Sequence, residues 1–107
     1  MEYKLLLSIY EDYKYFSKIF FVKLKIISNN INDMITKDRK FYKSDTYNKL
    51  NELHKEYSEE YMKIINEQIY IKNNKNINDT IIKELLKRVK EIKHFLYKHN
   101  EGKQLLC

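Results

Sequence analysis

Residues 6–34, LLSIYEDYKYFSKIFFVKLKIISNNINDM, carry the reading that decides the fold. Leu6, Ile9, Tyr13, Phe16, Phe20, Leu24, Ile27, Ile31 and Met34 recur there every three or four residues without a change of phase, which is the spacing of one face of an α-helix. A second apolar row, Tyr15, Ile19, Val22 and Ile26, runs far round the same helix, so its middle is apolar on two sides and has two faces to bury. Ser28, Asn29, Asn30, Asn32 and Asp33 compete for backbone hydrogen bonds and offer a place to break. The apolar phase continues unshifted through Ile31 and Met34, and predicts that the helix runs on to about Lys37.

Two more helices follow downstream. Ser44 and Asp45 are good N-caps ahead of Tyr47, Leu50, Leu53, Tyr57, Tyr61, Ile64 and Ile65, a helix ending near Lys72. Its outer face, Glu52, Glu56, Glu59, Lys63 and Glu67, reads as a solvated surface. Asn73 to Asp79 reads as a loop whose end caps a third helix from Thr80 to about His99, with Ile77 stapling its start and Gly102 stopping it. The fold class is therefore all-α: a single helical domain over residues 1–107, an antiparallel bundle of three helices, or four if the first breaks near Ser28 to Asp33. In that bundle the first helix is shared between the other two. If they cover only one side, the row of Tyr15, Ile19, Val22 and Ile26 is left as a dimer seam or partner groove.

Composition narrows the function. A chain of 107 residues is one domain, long enough to bury roughly two thirds of the surface it exposes when unfolded. It has no Ala, Trp or Pro and one glycine, Gly102, which removes the glycine-rich loops that phosphate-binding and dinucleotide-binding folds require. Cys107 is the sole cysteine, so the chain forms no internal disulfide and offers no thiolate metal cluster. The apolar run Leu5 to Tyr10 is too short for a secretory signal, and Lys18, Lys23 and Lys25 interrupt the longest apolar region, so the expected location is cytoplasmic. His94 and His99 are five apart, off the spacing that puts two metal ligands on one helix face, and no metal or other cofactor is expected.

The charge excess of +6 is unevenly spread. Residues 1–43 hold nine basic and five acidic groups, 44–76 five and six, and 77–107 seven and four. On the third helix Lys83, Lys87, Lys90, His94 and Lys98 form a basic stripe roughly opposite Ile82, Leu85, Val89, Ile92 and Leu96. With Lys14, Lys18 and Lys25 on the first helix these residues are the candidate contacts to phosphates, and the ten tyrosines offer stacking surfaces for unpaired bases.

The sequence thus predicts a non-catalytic binding protein that engages nucleic acid or the nucleic-acid groove of a nucleoprotein enzyme. Small basic helical chains of this kind are similar in style to phage or mobile-element inhibitors, anti-CRISPR proteins among them. The alternative is a helical protein-interaction or dimerisation module acting through Tyr15, Ile19, Val22 and Ile26. A third reading rests on Arg88 and His94, whose separation by five residues resembles the Arg-to-His spacing in the active-site motif of the HEPN ribonucleases; that resemblance implies metal-independent RNA cleavage with these two as the catalytic pair. On a regular helix they point about 120° apart.

Overall fold

A computed structural model describes residues 2–74 and 76–100. The chain is an antiparallel bundle of three helices: α1, Glu2–Lys37; α2, Asp45–Asn73; and α3, Asp79–Asn100. A single 3-10 turn, Phe41–Lys43, lies in the first connection. The helix stop expected at Gly102, the tail and Cys107 fall outside the described residues.

Helix α1 is unbroken through Ser28 to Asp33. Its buried residues Ile9, Tyr13, Phe16, Phe20 and Ile27 are continued in the same phase by half-buried Ile31 and Met34, and burial of that face outweighs the turn preference of the Asn and Asp residues. The cap of α2 forms as expected: the Tyr47 backbone N–H donates to Ser44 Oγ at 3.1 Å. At α3 the cap is Asn78, whose Oδ1 accepts from the Ile81 N–H at 3.0 Å, and Ile77 packs on the core beside it.

Side-chain pairs set the helix directions. Tyr13 meets Glu67 and Phe20 meets Tyr57, so α1 and α2 run antiparallel. Phe20 also meets Phe95, and Leu5 shares a cavity with Ile82, so α1 and α3 run parallel. All three helices are locked at one level by Phe20, Tyr57, Phe95 and His99. Tyr57 and Phe95 are edge-on at 5.2 Å between ring centres, and Phe95 and His99 lie at 4.3 Å. His99 is therefore a packed member of the core edge, whereas its spacing reads as a surface or capping position.

The bundle is elongated, 56 × 23 × 17 Å, and α3, about 33 Å long, runs beside only part of α1, about 54 Å. Both α2 and α3 sit against the row that begins at Leu6. The second row is not covered: Tyr15, Val22 and Ile26 are exposed and Ile19 is half-buried. Two helices packed on one side of a third leave its far side open, so α1 does not divide its two apolar faces between its partners.

Candidate anion-binding cleft

The basic stripe of α3 borders a cleft between α2 and α3. Ile82, Leu85, Val89 and Ile92 are buried, which turns Lys83, Lys87, Lys90, His94 and Lys98 outward. Four of these five residues, Lys87, Lys90, His94 and Lys98, line a cavity of about 500 Å³ together with Lys63 from α2 and with Glu60, Arg88, Glu91 and Phe95. Lys83 instead lines a smaller cavity with Leu5, Asp79, Ile82 and Leu86.

The candidate lysines of α1 lie elsewhere. Lys14 is 3.8 Å from Glu11 and its ammonium lies 5.8 Å from the centre of the Tyr10 ring; Tyr10 in turn lines a cavity with Ile71 and Lys72 of α2. Lys18 and Lys25 are exposed on the same side of α1 as Lys14, at steps of four and seven residues. None of the three borders the α2–α3 cleft.

The floor of the cleft is a polar network that spans the bundle. Arg88 Nε donates to Glu67 Oε1 at 2.7 Å, and Arg88 Nη2 is in ion-pair contact with Glu60 Oε1 at 2.5 Å. The other oxygen of Glu67 accepts the Tyr13 hydroxyl at 2.7 Å. Burial works against the charge on Arg88, but the Glu67 and Glu60 carboxylates outweigh it and hold the guanidinium firmly protonated. Burial, and then the bond to the Glu67 carboxylate, push the Tyr13 hydroxyl well above the ordinary tyrosine range.

These contacts revise the reading of the α2 outer face as simply solvated. Glu67 is half-buried in the network, Glu56 lies 3.1 Å from His99 Nε2, and Lys63 joins the cleft. Glu60, absent from that face in the sequence reading, is 8% exposed. Its one sequence signal is its place three residues after Tyr57 and four before Ile64, on the buried side of α2.

Arg88 and His94 border the same cavity but do different work. Arg88 points inward to two carboxylates, while His94 is exposed at the mouth. Among the ten tyrosines, Tyr13 and Tyr57 are fully buried and take no part in stacking with a ligand. The described residues contain no group of three or more His, Cys, Asp or Glu side chains placed to hold a metal ion, and no helix is long and apolar enough to cross a membrane.

Fold and cleft together define a basic three-helix bundle with a lysine-edged groove between its second and third helices. No family model, curated protein or solved structure matches the chain.

Proposed function

We propose that the protein is a non-catalytic binding module that engages single-stranded nucleic acid, free or held in the groove of a nucleoprotein enzyme, through the α2–α3 cleft. The observation that carries this reading is the convergence of Lys63 from α2 with Lys87, Lys90 and Lys98 from α3 around one cavity. Four ammonium groups along one groove track a phosphate backbone, and their binding is driven by counterion release. Arg88, held between the Glu60 and Glu67 carboxylates, acts as scaffold beneath them and not as a catalytic group. By occupying a strand in this way, a chain of this size inhibits a nucleoprotein enzyme without chemistry of its own.

The test is fluorescence anisotropy with labelled single-stranded and duplex RNA and DNA. Four lysine contacts to a single strand predict an affinity loss of about fiftyfold between 50 and 200 mM salt. Replacing Lys63, Lys87 and Lys98 with Gln removes most of that dependence and most of the binding. Absence of binding to every probe at 50 mM salt overturns the proposal, as does full binding by the triple variant.

A further inference from the structure

The uncovered row of α1 is a second surface, apart from the cleft. Tyr15, Val22 and Ile26 are 62%, 53% and 38% exposed, and over about 16 Å they form an apolar strip three helical turns long. Leu7 and Phe21 are also exposed on α1, but Lys14 stands midway between them, so they form no such strip.

Cations border the strip on both sides. Leu5, Asp12, Ile19 and Ile26 follow one another at seven-residue steps along one line of α1, and Leu5 shares a cavity with Asp79, Ile82, Lys83 and Leu86 of α3, Asp79 lying at the Leu5 end and away from the strip. That edge of α3, carrying Lys83 and Leu86, continues through Lys93 and Tyr97, seven and eleven residues beyond Leu86. Leu86 and Tyr97 are exposed and extend the apolar surface. On the opposite side Lys18 stands three residues after Tyr15 and four before Val22, and Lys25 three after Val22. From Tyr13 to Asn32 the chain has four lysines and no acidic residue.

We infer that this α1–α3 face docks an acidic amphipathic helix of a protein partner. Its apolar ridge lies along Tyr15, Ile19, Val22 and Ile26, and carboxylates on its two flanks meet Lys18 and Lys25 on one side and Lys83 and Lys93 on the other. A second copy of this chain is the wrong occupant, because a two-fold interface sets the same lysine-edged strip against itself. Nucleic acid is also a poor match, since Val22 and Ile26 offer no hydrogen bond to a base or a phosphate.

The probe is a designed three-turn helical peptide with leucines at i, i+3, i+4 and i+7 and glutamates on its flanks. Two controls accompany it: one with lysines for the glutamates, and one of the same composition with the leucine period scrambled. The acidic peptide binds the full chain with a dissociation constant on the order of 10 μM, and both controls bind at least about tenfold more weakly. Val22→Glu and Lys18→Glu each weaken the acidic peptide at least about tenfold. Both positions are exposed, and helical circular dichroism confirms that each variant is folded. Any of four results overturns the inference: no binding of the acidic peptide up to about 200 μM, equal binding of a control, full binding by folded Val22→Glu, or self-association of the free chain that Val22→Glu abolishes. Displacement of the peptide by single-stranded RNA from the wild type, but not from the Lys63, Lys87 and Lys98 triple variant, assigns competition to the cleft and leaves the docking face standing. Displacement from both overturns its assignment to a protein partner.

Discussion

Arg88 on α3 donates its Nε–H to Glu67 on α2 at 2.7 Å, and this bond joins two helices whose contributing residues lie 21 positions apart. Through the second oxygen of Glu67 the link reaches Tyr13, so one carboxylate ties all three helices together. The arrangement costs desolvation of the charges involved and is worth having only when every partner is present.

Removing the cation alone is therefore damaging. Arg88→Ala leaves the Glu60 carboxylate, 8% exposed, without its counter-charge, and stability falls by about 3 kcal/mol, measured by urea unfolding. Changing Arg88 to Met, Glu60 and Glu67 to Leu and Tyr13 to Phe together recovers most of that loss, because apolar groups of similar volume carry no desolvation cost and no buried hydroxyl is left without its Glu67 acceptor. A single-variant loss under about 0.5 kcal/mol would show that the pairs behave as surface ion pairs.

The two apolar rows of α1 respond oppositely to mutation. Phe20, fully buried against Tyr57 and Phe95, loses about 3–5 kcal/mol on replacement by Ala. Val22→Ser, two residues away on the exposed row, stays within about 0.5 kcal/mol of the wild type. Equal losses at both positions would place α2 or α3 over the second row.

Acid weakens the fold through His99. Burial lowers its pKa below the ordinary value of 6.5; Glu56 opposes that shift and Lys98 adds to it. The unfolded chain therefore takes up a proton on His99 more readily than the folded one. Its contribution to stability is complete above pH 6.5 and is lost as the pH falls through the lowered value. Urea midpoints between pH 7.5 and 5 decline less steeply for His99→Gln than for the wild type.

Alkali acts through two tyrosines. Burial raises the pKa of Tyr13, aided by its bond to Glu67, and burial raises that of Tyr57, whose hydroxyl has no partner among the described residues. Both stay neutral in the fold below pH 10, and because the unfolded chain loses these protons more readily, stability is lost as the pH rises beyond it. In an absorbance titration these two ionise in one cooperative step that coincides with loss of helical circular dichroism. Tyr57→Phe removes part of that step and is neutral or stabilising at pH 7, because it takes away a buried donor that has no acceptor.

The features that depend on neighbours along one helix are legible in the chain itself. The unbroken phase of Leu6 to Met34 determines α1 past its Asn-rich stretch, Ser44 and Asn78 cap the next two helices, and Ile82 to Ile92 define the buried side of α3 and hence its lysine stripe. These follow from a 3.6-residue period and from local hydrogen bonds. Three other things were decided only when the helices came together: which row of α1 is covered, that Lys63 joins the stripe of α3, and that Glu60, Glu67, Arg88 and Tyr13 meet. Each depends on how one helix is rotated against another, and that rotation is set by the packing of side chains from all three helices, which no single helix's periodicity contains.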